Sequence, residues 1–172
     1  GNDVFARQEG IEFLGSISDS TVTISENVVE ARQEAIAVAG NVNNSTVKIN
    51  DNTKIESFRN NAIDFEGDIA GASSVEITGN EIDGDSNGVL VVGDTTGAGT
   101  ELKIAGNYII SGSNGVDIDN VNSGATVTVG GPNLYNTKTD DETKGNIIDA
   151  GGNGIEFDAG IDSTVKVEGN RI

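Results

Sequence analysis

Over 172 residues the chain carries 28 acidic and 10 basic side chains, a formal charge of −18, with 24 Gly, one Pro and no Cys, His, Met or Trp. Zinc sites, haem ligation, thiol chemistry, disulfide bracing and any His-based triad are excluded, because their ligands and bases do not exist here. So acidic a surface repels phosphate backbones and anionic membranes, which argues against nucleic acid as a partner, and it suits cations or a salty medium.

Five Phe and two Tyr leave a core to be built mainly from Val, Ile and Leu. At this length one domain with a continuous core is expected, spanning 1–172. No apolar run approaches the roughly 20 residues of a transmembrane helix, so no membrane insertion is expected. The chain shows no signal peptide and begins at Gly1 without an initiator Met. It therefore reads as a processed or excised segment of a longer protein.

Taken in chain order, three short phrases recur. The chain opens on Asn2-Asp3-Val4. Gly10-Ile11-Glu12-Phe13 follows (a small residue, Ile or Val, any residue, an apolar one), then Val22-Thr23-Ile24, then Asn27-Val28-Val29. The series returns as Ala35-Ile36-Ala37-Val38, Val47-Lys48-Ile49 and Asn52 to Ile55. It returns again as Ala62-Ile63-Asp64-Phe65, Val75-Glu76-Ile77 and Asn80-Glu81-Ile82. Gly88-Val89-Leu90-Val91, Leu102-Lys103-Ile104 and Asn107-Tyr108-Ile109 make the fourth pass. Gly115-Val116-Asp117-Ile118 with Val127-Thr128-Val129, then Gly154-Ile155-Glu156-Phe157 with Val165-Lys166-Val167, complete the series before Asn170-Arg171-Ile172.

Each phrase alternates apolar and polar, the period-2 mark of a half-buried strand. Three strands in fixed order about every 26 residues predict an all-β, right-handed parallel β-helix. About six coils of three short strands each are expected, stacked at about 4.8 Å. Helix propensity across Glu30 to Ala37 yields to the register of Ile36 and Val38 with the other coils. Core columns are expected at Ile11, Ile36, Ile63, Val89, Val116 and Ile155, and at Phe13, Val38, Phe65, Val91, Ile118 and Phe157. A further column runs Ile17, Val42, Ile69, Val121 and Ile161, with Thr95 in the fourth coil. Asn27, Asn52, Asn80 and Asn107 form a turn column, where Asn tolerates left-handed backbone and amides can bond from coil to coil. Gly40, Gly67 and Gly84 suit tight corners. Leu90 and Val92 face outward, under a loop Gly93 to Thr100. The last coil is longer by about a dozen residues, and its polar stretch at about 134–145 is expected to leave the rod as a loop.

These phrases resemble the parallel β-helix repeats of the pectin-lyase-like superfamily across nearly the whole chain. Val127-Thr128-Val129-Gly130-Gly131-Pro132, Gly145-Asn146-Ile147-Ile148 and Asn153-Gly154-Ile155-Glu156-Phe157 are most similar to repeats of large secreted and surface-anchored bacterial proteins. The resemblance implies the fold. For activity it spans polysaccharide lyases, glycoside hydrolases, tailspikes, autotransporter passengers and adhesin stalks, and a fold does not choose among them.

Two surface clusters carry candidate chemistry. Polygalacturonases of the superfamily use Asp residues beside a His, and this chain has no His. Pectate lyases pair acidic calcium ligands with a basic group. The counterpart here is the outward column Glu30, Glu56 and Asp83, close to Arg32 and Arg59, with Arg7 one coil away. Carboxylates on adjacent coils lie about 5 Å apart, near the spacing of retaining glycosidases. Glu56 and Asp83 with Arg59 are therefore the catalytic candidates of an enzyme, and Glu30, Arg32, Glu56, Arg59 and Asp83 a candidate glycan-binding set. The competing account is a charge-compensated ladder on a solvated face. The second cluster is Asp117, Asp119, Glu156 and Asp158. Stacked like charges destabilise a sheet, and Ca²⁺ would relieve them. No cofactor is otherwise required. Lys48, Glu76 and Lys103 should pair across coils.

The leading expectation is a non-catalytic structural or adhesive solenoid segment of a secreted or cell-surface bacterial protein. A polysaccharide-binding or polysaccharide-cleaving β-helix and a self-assembling extracellular filament subunit stand as alternatives. Expected partners are flanking domains of the same polypeptide, other copies end to end, or an extracellular glycan.

Overall fold

The computed structural model describes residues 1–133 and 144–172, and among them every regular element is a strand. Of the polar stretch at about 134–145 expected to leave the rod, residues 134–143 lie outside the described residues.

The three phrases become three parallel sheets. Sheet 1 contains Ile11–Phe13, Ile36–Val38, Ile63–Phe65, Val89–Thr95, Val116–Val121 and Ile155–Phe157. Short continuations at Ile17–Ser18, Val42–Asn43 and Ile69–Ala70 belong to it as well. Sheet 2 contains Thr21–Ser25, Thr46–Asn50, Ser74–Thr78, Glu101–Ala105, Thr126–Gly130 and Thr164–Glu168. Sheet 3 contains Asp3–Ala6, Val28–Ala31, Lys54–Ser57, Glu81–Gly84, Tyr108–Ser111 and Ile147–Ala150. Each strand pairs in parallel with its counterpart one coil away. The result is a parallel β-solenoid of about five turns, the architecture that the repeated phrases predict. Six strands stacked in one sheet are separated by five steps.

Coil-to-coil register follows the expected columns. Ile36 lies between Ile11 and Ile63, and Val89 between Ile63 and Val116. Phe65 likewise lies between Val38 and Val91. Thr95 stands in line between Ile69 and Val121, as its place in the column required. All of these except the terminal Ile11 are buried. Each fully buried Ile or Val contributes about 1.5–3 kcal/mol, so the repeated columns, with no disulfide, hold the rod together. Glu30 to Ala37, the stretch of highest helix propensity, is split between two strands, because Ala31 and Ile36 each complete a buried column.

The turn column is longer than four residues. Asn2, Asn27, Asn52, Asn80, Asn107, Asn146 and Asn170 form one continuous ladder. Each donates its Nδ2 to the Oδ1 of the next, at 2.8–3.2 Å. Each also donates its backbone N–H to that same Oδ1. From Asn52 onward, Nδ2 makes a second bond, back to a sheet 2 carbonyl such as Ile49 O for Asn80. Asn52, Asn80, Asn107 and Asn146 are wholly buried, and this network satisfies their polar atoms.

Two details depart from the expectation. The left-handed residue is not the ladder Asn but the one before it: Glu26 (φ 58°), Asp51 (φ 55°), and Gly79 and Gly106 (both φ 68°). The glycines at Gly40 and Gly67 answer a different need from a tight corner. A Cβ at Gly40 would lie 2.4 Å from the Gly15 carbonyl carbon, at Gly67 2.5 Å from that of Gly40, and at Gly93 2.3 Å from that of Gly67. Backbone rests on backbone there, coil upon coil. Gly93 to Thr95 also belongs to the strand Val89–Thr95 rather than to a loop, and Val92 stays exposed.

Candidate functional site

Side chains that alternate away from the buried columns form outward stripes along the rod, and both carboxylate clusters lie on such stripes. On sheet 3, Glu30, Glu56 and Asp83 stand in register on successive coils, followed by Ile110. A cation that the sequence reading passed over lies among them. Lys54, two residues before Glu56 on the same strand face, donates to Glu30 Oε1 at 2.8 Å and also pairs with Glu56. These two bonds hold the Lys54 ammonium well above its ordinary pKa. The signal was available: Lys54 lies 24 positions after Glu30, close to one coil. Asp83 is pushed above the usual carboxylate range, first by burial and then by the Glu56 charge.

The arginines take no part in this arrangement. Arg7, Arg32 and Arg59 are exposed, and among the described residues none pairs with Glu30, Glu56 or Asp83. Thus the structure sets Glu30, Glu56 and Asp83 in one stripe, with Lys54 paired to the first two, and leaves Arg32 and Arg59 on the solvent side. On sheet 2 the expected cross-coil pairing appears between Lys48 and Glu76, 3.0 Å apart.

The second cluster lies on sheet 1. Asp117 and Glu156 are in register on neighbouring coils. Asp158 joins them, so that one carboxylate oxygen from each of the three lies within 4.8 Å of the others. Asp119 stands outside this group of three, although the Asp158 charge and, more strongly, burial raise its carboxyl pKa. Asp117 is the buried member. Its Oδ2 accepts from Asn114 Nδ2 at 3.0 Å and Asn87 Nδ2 at 3.4 Å, while its Oδ1 is buried without a partner. The Asn114 amide also contacts Glu156. Burial and then the neighbouring Glu156 and Asp119 push the Asp117 carboxyl up, against the pull of Asn114. The charges of Asp117 and Glu156 do the same to the exposed Asp158.

Comparison with family models, curated proteins and solved structures gives no match. The chemistry of this chain must therefore be read from its own side chains.

Asn114 belongs to a second asparagine column that the sequence reading missed: Asn61, Asn87, Asn114 and Asn153, each just before the small residue of the first phrase. Here the later residue donates its backbone N–H to the Oδ1 of the earlier one, at 3.0–3.1 Å. With Oδ1 so engaged, Nδ2 turns toward the carboxylate three residues on: Asn61 to Asp64 at 2.8 Å, and Asn114 to Asp117. The column thus fixes how the sheet 1 carboxylates point.

Proposed function

We propose that this chain is a non-catalytic structural or adhesive solenoid segment of a secreted or cell-surface bacterial protein, of the pectin-lyase-like type. Its task is to hold a stiff acidic rod and to present side-chain stripes for binding, a glycan among the ligands it would suit. The observation that carries this reading is Lys54. It ties Glu56, one of the two catalytic candidates, to Glu30 on the neighbouring coil and offsets their charge, which is what a charge-compensated ladder does. An acidic surface without thiols is at home in the salty, oxidising exterior.

A catalytic reading draws on one fact, the raised Asp83 carboxyl beside Glu56. A carboxyl raised by burial can serve as a general acid. In that reading Glu56 and Asp83 act on a polysaccharide with Arg59 in support. The decisive experiment is turnover on a panel of neutral and acidic polysaccharides, with and without Ca²⁺. The structural reading expects no product above the blank. Product formation abolished by Glu56→Gln in a folded protein would replace it with the enzymatic one. Concentration-dependent fibres under the electron microscope would replace it with the filament subunit.

A further inference from the structure

We propose that Asp117, Glu156 and Asp158 form a Ca²⁺ site that staples two neighbouring coils of sheet 1 together. The geometry suits that ion. Oxygens around one Ca²⁺ lie about 2.3–2.6 Å from it, so two ligands on opposite sides are at most about 4.6–5.2 Å apart. One oxygen from each of the three carboxylates falls within 4.8 Å of the others. Mg²⁺, with ligands at about 2.0–2.1 Å, requires a shell only about 4.2 Å across and a near-ideal octahedron. Mg²⁺ also keeps several of its waters, so a set of three protein carboxylates suits the larger, more tolerant ion better.

A crowd of surface acids by itself would signify only hydration. The distinguishing feature is Asp117, whose side chain is only 7% exposed. It spends Oδ2 on the Asn114 and Asn87 amides and leaves Oδ1 buried with no hydrogen bond. An orphaned carboxylate oxygen is costly to bury, and a cation bound among Asp117, Glu156 and Asp158 would give the Asp117 carboxylate the counter-charge that no neighbouring side chain among the described residues supplies. No side-chain cation does so: among the described residues, the ion pairs of Lys48 and Lys54 lie on sheets 2 and 3. Asn114 holds Asp117 and Glu156 from the protein side and orients both carboxylates before the ion arrives, as outer-shell amides do in metal sites. Half-exposed Glu156 and exposed Asp158 leave room for the waters that complete a shell of 6–8 oxygens.

The ion would join Asp117, on the strand Val116–Val121, to Glu156 and Asp158 on the neighbouring strand, whose register partners Val116 and Ile155 are 39 positions apart in sequence. The site acts on stability alone and does not depend on whether the rod is adhesive or enzymatic.

The test is thermal unfolding and hydrogen exchange of the 172-residue chain with CaCl2 as the only added ligand, against MgCl2 and NaCl at equal ionic strength. For millimolar or tighter affinity, about 10 mM Ca²⁺ should raise the melting temperature by about 3–10 °C. It should also slow exchange selectively at 116–119 and 155–158. Glu156→Gln with Asp158→Asn, both at accessible positions, should fold, melt higher than the parent without calcium, and lose the calcium response. No shift with calcium, an equal shift with NaCl, or a response retained by the double variant would each overturn the site.

Discussion

Asp64 shows how one side chain can set a pH dependence. It stands in register between Ala37 and Leu90 on the outward stripe of sheet 1, yet it is only 5% exposed. Its Oδ2 accepts from Asn61 and its Oδ1 has no partner. Burial pushes the carboxyl up to about 6, opposed by the Asn61 amide and aided by the charges of Glu66 and Glu34. In the unfolded chain the same group titrates near 3.8. Between these two values the folded chain holds a proton that the unfolded chain has released, so stability falls as pH rises through that window. Below it both states are protonated, and above it the folded state carries the full cost of a buried charge. Asp64→Asn, neutral and of the same shape, should therefore raise the melting temperature at pH 7.5 by several degrees and give little or no gain at pH 4. Circular dichroism melts at the two pH values check this, and an equal gain at both would refute it. None of this was legible in the sequence, where Asp64 fills the "any residue" slot of its phrase. Alternation places a side chain on the outer face but does not reveal that Asn61 and Leu90 flank it there.

At the scale of the element, the asparagine ladder is a buried polar network in which every member counts. Removing the Asn80 side chain would leave the Asn52 backbone N–H without its acceptor, and would take one bond each from Asn52 Nδ2, Asn107 Oδ1 and the Ile49 carbonyl, all away from water. At about 1–3 kcal/mol for each unsatisfied group, partly recovered by relaxation, Asn80→Ala should cost about 3–5 kcal/mol. Asn27→Ala, nearer the end of the ladder and slightly exposed, should cost clearly less. Urea unfolding of the two variants measures the difference, and equal losses would show that the ladder does not act cooperatively. The ladder was half legible. Asn27, Asn52, Asn80 and Asn107 recur at coil spacing, whereas Asn146 follows the long excursion and its spacing hides it. The left-handed turn residue was misplaced by one position, because Asn has the propensity but its side chain is needed in the ladder. Glu26 and Asp51 take the strained backbone instead, at a cost of about 1–2 kcal/mol each that the ladder offsets. Gly40 and Gly67 were seen as small, but that they are small to let backbones touch needed the coil above to be in place.

For the molecule as a whole, stability should be a sum over neighbouring coils. Val47, Val75, Leu102 and Val127 of sheet 2 are fully covered, while Val22 in the first coil and Val165 in the last are half-buried. Amide exchange in the 172-residue chain should then be slowest at Val75–Ile77 and Leu102–Ile104, and fastest within sheet 2 at Val22–Ile24 and Val165–Val167. Uniform protection along the rod would contradict this and imply a single cooperative unit. The architecture was the most legible level, because a coil length repeated against a period of 2 leaves few other ways to bury so many Val and Ile. The surface was the least legible. Lys54, Asn87 and Asn114 acquire their roles only when coils stack, and the partners of a stripe are set by register to within one residue.

The two asparagine columns have a consequence for the electrostatics of the rod. In the buried column every side-chain carbonyl points toward the first coil. In the second column the carbonyls of Asn61, Asn87 and Asn114 point the other way. Strand peptide dipoles alternate and nearly cancel, so these amides, at roughly 3.5 D each, add an axial moment that the backbone does not cancel. Five of the first column (Asn27, Asn52, Asn80, Asn107 and Asn146) lie in the low-permittivity interior against Asn87 alone of the second, so the first column outweighs the second, most of which lies where water screens the field. The rod is thus an electret as well as a scaffold, with its negative pole at the first coil, and a charged object approaching end-on meets a different field at each tip.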